Sequence, residues 1–197
     1  MTMERIKMKK DIIILHGTMG SPEGNWLPWL KSQLENDYNV FVPSFPTPEN
    51  QSKENWCAAL RDQTPIFGKD TILIGHSIGA TLMMHILEML KNPVHQSIFV
   101  CPVFDKIGNE EYDALNATFI EKSPHFDWES MSQNKGNCTI FMGDNDPYVP
   151  AWHAETLHEK VGGDLISIPN GGHINTESGY TEFAELLDII KERKLNA

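Results

Sequence analysis

Six short apolar, β-branched runs recur along this chain, separated by longer amphipathic stretches, and that alternation limits the folds open to it. The runs are 11–15, 39–43, 71–75, 96–101, 138–142 and 164–168. Five are near-continuously apolar rather than alternating, as strands covered by helices on both faces must be. The sixth, Asp164-Leu165-Ile166-Ser167-Ile168, alternates and is expected near a sheet edge. Strands interleaved with helical segments predict repeated βα units and a parallel sheet. Helices are expected over 26–36, 54–63, 78–91, 151–161 and 180–194. Lys91-Asn92-Pro93 and Val161-Gly162-Gly163 give stop signals after two of them.

The 197 residues, 40% of them apolar, suffice for one α/β domain with a sizeable core. No repeat or linker divides the chain, so 1–197 reads as a single domain. The least regular segment is 102–136, long for a crossover and holding Phe104, Tyr112, Phe119, Phe126 and Trp128. Its aromatics read either as packing residues of the crossover or as the lining of a small cap over a pocket.

Charge and cysteine usage remove several function classes. Sixteen basic against 27 acidic residues give a formal charge of −11, which phosphate backbones and anionic lipid would repel. Neither nucleic acid nor a membrane surface is an expected partner, and no apolar run approaches the roughly 18 residues that span a bilayer. The basic opening Met1–Lys10 leads only into Ile12-Ile13-Ile14-Leu15, too short for a signal-peptide core and better read as a strand. Cys57, Cys101 and Cys138 are odd in number and lack metal-like spacing, which suggests reduced thiols in a cytoplasmic protein. His153 and His158, five apart, do not form an i,i+4 zinc pair. No metal or organic cofactor is expected.

The chemistry is concentrated in Gly75-His76-Ser77-Ile78-Gly79. Alone, a G-x-S-x-G pentapeptide is a weak signal. Between the run Thr71-Ile72-Leu73-Ile74 and the helical stretch from Ala80 it becomes a nucleophile elbow, with glycines that let strand and helix approach closely. A serine hydroxyl needs a base, and the base needs a carboxylate to fix its tautomer. Both should follow in loops at strand ends, because the carboxyl ends of parallel strands face one crevice. The fifth run leads into Gly143-Asp144-Asn145-Asp146-Pro147, and the sixth into Pro169-Asn170-Gly171-Gly172-His173. His173 is therefore the expected base, with Gly171 and Gly172 letting its backbone approach the serine. Asp146, which precedes a proline and sits deeper in its loop, is preferred as the acid. Asp144 is the competitor, otherwise a turn residue bonding nearby backbone. The oxyanion would be held by the backbone N–H of Ile78 at a helix start and by that of Thr18, with Met19 second. His16, His76 and Met19 are further candidates for the site lining.

Beyond the elbow, four blocks carry a family resemblance: His16-Gly17 with Gly20-Ser21-Pro22, Trp26–Trp29, Asn145-Asp146-Pro147-Tyr148-Val149-Pro150 and Gly172-His173-Ile174-Asn175. Over nearly its whole length the chain resembles the α/β-hydrolases, and more narrowly the small YdeN-type serine hydrolases that include the retinoblastoma-binding-protein relatives. The resemblance puts the acid on Asp146 and the base on His173. It also implies a trimmed hydrolase, three-layered α/β/α, with a six-stranded parallel sheet in flavodoxin-like order. The expected activity is hydrolysis of a small carboxylic ester, thioester or amide through an acyl-enzyme on Ser77. The alternative is a hydrolase fold that binds a protein or ligand with vestigial catalysis.

Overall fold

In the computed structural model, which describes residues 9–195, the six apolar runs form one parallel sheet. Its strands are β1 (Asp11–Leu15), β2 (Asn39–Phe41), β3 (Thr71–His76), β4 (Gln96–Val100), β5 (Asn137–Gly143) and β6 (Asp164–Ile168). The order β2-β1-β3-β4-β5-β6 is the flavodoxin-like one. Single-domain readings that include 1–8 and 196–197, and that of the basic opening up to Met8, lie outside the described residues.

The pleat explains the apolar runs. Ile13, Leu15, Leu73, Phe99 and Ile140 point to one face, where α2 (Lys53–Gln63), α3 (Ile78–Met89) and α7 (Trp152–Val161) cover them. Ile12, Ile14, Ile72, Ile74, Ile98 and Val100 point to the other, under α1 (Leu27–Leu34) and α8 (Ala184–Leu195). Both sets are buried because both faces carry helices. β6 takes the edge position its sequence suggests and is partly or fully exposed along its length. β2 departs from expectation: it is the other edge, only three residues long and partly exposed, since it pairs with β1 alone.

α3 is buried at every position from Ile78 to Leu87, so its sequence carries no charge before Glu88. Each fully buried leucine or isoleucine there contributes about 1.5–3 kcal/mol. α3 ends at Met89 rather than 91, because Leu90 already turns extended ahead of Pro93. The last helix starts at Ala184 instead of 180. Before it the chain makes a 3₁₀ turn at Thr176–Ser178 and a left-handed step at Gly179, which seat Tyr180 and Phe183 as loop residues against the core.

Segment 102–136 is more regular than its sequence suggests. It holds α4 (Glu110–Leu115), α5 (Ala117–Ile120) and α6 (Trp128–Asn134). Asn109 caps α4 by accepting from the N–H groups of Glu111 and Tyr112, and Asp127 caps α6 through Ser130. Phe104, Phe119 and Phe126 are buried core residues, with Trp128 packed against them. Tyr112 alone of the five aromatics reaches the cavity described below.

Candidate active site

The carboxyl ends of the strands deliver the site. Pairings Leu15↔Gly75, His76↔Val100 and Gly143↔Ile168 keep those ends level, so the loops that follow share one edge. At the end of β3 the backbone turns at Ser77 with φ 56° and ψ −123°, and α3 begins at the next residue. A non-glycine residue in this region stores on the order of 1–3 kcal/mol. The neighbours hold it there. The Ser77 N–H donates to the Val100 carbonyl at 2.9 Å. A Cβ on Gly79 would lie 2.5 Å from the carbonyl oxygens of Leu15 and His16, and one on Gly75 would lie 2.7 Å from the Ala80 Cα. Gly17 makes a third close approach, where a Cβ would stand 2.9 Å from that of Ser77.

The two following loops bring Asp146 and His173 together. His173 Nδ1 lies 2.7 Å from Asp146 Oδ2, and the other carboxylate oxygen accepts from the N–H groups of Tyr148 (2.9 Å) and Val149 (3.0 Å). Burial alone would raise the Asp146 pKa. The hydrogen bond and charge of His173 and the two backbone donors outweigh it and hold the carboxyl below its ordinary value. A carboxylate at Oδ2 makes Nδ1 the protonated nitrogen, leaving Nε2 free to accept. Asp144 does something else: it is exposed, and its Oδ1 accepts from the Asn170 N–H at 2.7 Å. It thus clamps the acid loop to the base loop rather than bonding nearby backbone.

The paired glycines before His173 correct a second expectation. A Cβ on Gly171 would meet the Ile168 side chain, and one on Gly172 would overlap Ser178 Oγ. A Cβ on Gly143 would overlap the carbonyl oxygen of Gly172. Gly171 and Gly172 thus let the base loop fold closely on itself and Gly143 lets the acid loop pack against it, while none of the three meets Ser77.

Around Ser77 lies a cavity of about 370 Å³, lined by Thr18, Met19, His76, Tyr148, His173 and Glu177 among others. Ser77 and His173 share it without a direct hydrogen bond between them, a contact that commonly tightens only when substrate binds. Met19 and His76 line it as expected. His16 does not. It is buried behind the first loop, packed on Phe45 and Trp56, with Nδ1 bonded to the Gly17 carbonyl (2.9 Å) and Nε2 accepting from the Phe45 N–H (3.1 Å). Burial lowers its pKa, so it stays a neutral brace for that loop. His76 is likewise neutral. Burial and the neighbouring His173 push it down to about 3, and its Nε2 donates to the His173 carbonyl at 2.9 Å.

The first loop separates the two oxyanion candidates. The Met19 N–H is already donated to Thr47 Oγ1 at 2.7 Å. The Thr18 N–H has no partner among the described residues, and the Ile78 N–H opens α3, where first-turn donors lack intrahelical acceptors. Sequence reasoning missed Cys101, whose Sγ lies within 4.8 Å of an Asp146 carboxylate oxygen and a His173 ring nitrogen. Burial, followed by the Asp146 charge, pushes its thiol well up, so it stands by as a neutral neighbour of the acid. No sequence signal marks it, since it reads as the last residue of a strand.

Known proteins align with this geometry. Hydrolase YdeN of Bacillus subtilis (strain 168) is 23% identical over 186 residues, 93% of this chain and 95% of that protein. Serine hydrolase RBBP9 of Rattus norvegicus is 25% identical over 168 residues, 84% of each chain. The crystal structure of the B. subtilis ydeN gene product superimposes with a TM-score of 0.84 at 22% identity, covering 93% of this chain and 98% of that one. The sheet order and layers are accordingly those of an α/β-hydrolase. Residues 12–192 match the serine hydrolase family, which takes in the elbow, both later loops and every strand but the first residue of β1: the chain belongs to the serine hydrolases.

Proposed function

We propose that this hydrolase cleaves a small carboxylic ester, or a related thioester or amide, through an acyl-enzyme on Ser77. The observation that carries the reading is the Asp146–His173 pair, bonded at 2.7 Å and opening onto the same cavity as the strained serine. Ser77 Oγ attacks the carbonyl carbon while its proton passes to His173 Nε2, and Asp146 stabilises the imidazolium. Charge developing on the carbonyl oxygen falls to the N–H groups of Ile78 and Thr18. Collapse breaks the bond to the leaving group, which takes the proton from His173. A water molecule, deprotonated by the same imidazole, then releases the acid and restores Ser77. The three free thiols at Cys57, Cys101 and Cys138 suit a reducing compartment such as the cytoplasm. No described helix is long and apolar enough to cross a membrane.

A fluorophosphonate probe tests the reading directly. Wild type should be labelled and Ser77→Ala should not, with p-nitrophenyl ester turnover lost in parallel. A folded wild type that neither labels nor turns over esters would instead make the cavity a binding site.

A further inference from the structure

One wall of the cavity is built from side chains whose hydrogen bonds can run in only one direction. Thr47 Oγ1 accepts the Met19 N–H at 2.7 Å, so its own proton goes to Gln51 Oε1 at 2.6 Å. That fixes the Gln51 amide. Its two Nε2 protons are shared among Asn116 Oδ1 (2.8 Å), Thr18 Oγ1 (3.0 Å) and the Leu115 carbonyl (3.2 Å), the last able only to accept. Thr18 passes its hydroxyl proton to Asn116 Oδ1 at 2.6 Å. With a donor-only backbone N–H at one end and an acceptor-only carbonyl at the other, no amide in the chain can be flipped.

The orientation of Asn116 follows. Its Oδ1 receives two donors, and turning the amide over would set Nδ2 against Gln51 Nε2, donor against donor. Nδ2 therefore occupies the other branch, and it makes no hydrogen bond among the described residues. Asn116 is only 5% exposed and lines the cavity. It stands where α4 meets α5, yet its side chain caps neither helix. An amide NH₂ held in one orientation, on a side chain otherwise buried in the cavity wall, keeps its donors open to whatever occupies the cavity.

We propose that Asn116 is a substrate-recognition residue whose Nδ2 donates to a neutral oxygen acceptor, a ketone, hydroxyl or ether, on the acyl portion of the substrate. The acyl side follows from the chemistry. The leaving group must lie by His173, which protonates it, whereas Asn116 is tied to Thr18 on the oxyanion side. Neutrality follows from the lining: among the described residues no lysine or arginine borders the cavity, while Glu177 does. A carboxylate-bearing acyl group would meet one like charge and no counter-ion. The proposal rests on the reading of Ser77 as nucleophile.

The test uses p-nitrophenyl 4-oxopentanoate and 5-oxohexanoate against the plain pentanoate and hexanoate, with wild type, Asn116→Leu and Asn116→Asp. Comparing wild type with variant on each ester cancels the ester's intrinsic reactivity. For at least one keto ester, kcat/KM should fall roughly 3- to 10-fold more than for its plain partner in Asn116→Leu, the loss of one hydrogen bond to a neutral group. Asn116→Asp keeps the acceptor for Thr18 and Gln51 but removes both donors, so it should discriminate against the keto ester at least as strongly. Equal losses on keto and plain esters, in variants still labelled at Ser77 by fluorophosphonate, would overturn the proposal. An unlabelled wild type would sink the nucleophile assignment beneath it.

Discussion

Acid should destabilise this protein before its carboxylates are protonated, because two buried imidazoles must stay neutral. His76 ends β3, and burial with the neighbouring His173 pushes its pKa down to about 3. His153 is fully buried on α7, and burial pushes it to about 4. In the unfolded chain both return to roughly 6.5. Below that value the unfolded state binds protons the native state refuses, so stability is complete above pH 6.5 and drains as pH falls toward 4 and 3. At pH 5 each group has lost 1.5 units at 1.36 kcal/mol per unit, about 2 kcal/mol each and about 4 kcal/mol together. His16 and His85, both lowered by burial first, act in the same direction. Asp146, held low, loses its contribution only below about pH 4, outside this window. Against a total of about 5–15 kcal/mol the effect is large. Urea unfolding at pH 7.5 and 5.0, at constant ionic strength, measures it. Wild type should lose at least about 4 kcal/mol between the two, and His76→Gln about 2 kcal/mol less than wild type. Equal losses in the two proteins would refute the assignment of His76 as a neutral, buried group.

Four further outcomes bear on the site. Asp146→Asn should present an amide N–H to His173 Nδ1, enforce the wrong tautomer and lower kcat on the order of 10⁴-fold in an ester assay. Asp144→Asn retains an oxygen for the Asn170 N–H and should change kcat less than about threefold, within the few tenths of a kcal/mol typical of surface changes. Gly143→Ala must push Gly172 aside and should cost about 3 kcal/mol or more, lowering Tm by roughly 6–12 °C in a scanning calorimeter. Ser77→Gly abolishes labelling but should raise Tm, since glycine removes the strain that φ 56° imposes on serine.

The sheet was legible because burial on both faces writes itself into a strand as an unbroken apolar run, as in Thr71-Ile72-Leu73-Ile74. Ser77, Asp146 and His173 were legible for a related reason: parallel strands put successive loops at one edge, so chain order predicts proximity. What escaped depends on contacts between distant segments. Glu110–Leu115 is a short helix held by its Asn109 cap and by tertiary packing, and too short to show a period. Thr18, Gln51 and Asn116 lie 33 and 65 residues apart, and no local pattern joins them. The choice of Thr18 over Met19 became physical only once Thr47 was seen to occupy the Met19 N–H. His16 looked like site lining from its place after β1, but its neighbours Phe45 and Trp56 come from beyond β2 and draw it inward.

The interlocked glycines of the last two loops have a consequence for anyone wishing to retune this enzyme. Gly143 and Gly172 lie backbone to backbone, and Asp144 ties the same loops again through Asn170, so the loops that carry Asp146 and His173 brace each other. The opposite arm is suspended from Thr47, Gln51 and Asn116 side chains, each replaceable without rebuilding the main chain. Libraries aimed at new selectivity belong there. Randomising the acid and base loops would lower stability at close-packed positions such as Gly143, whereas the hung arm offers changes the scaffold can absorb.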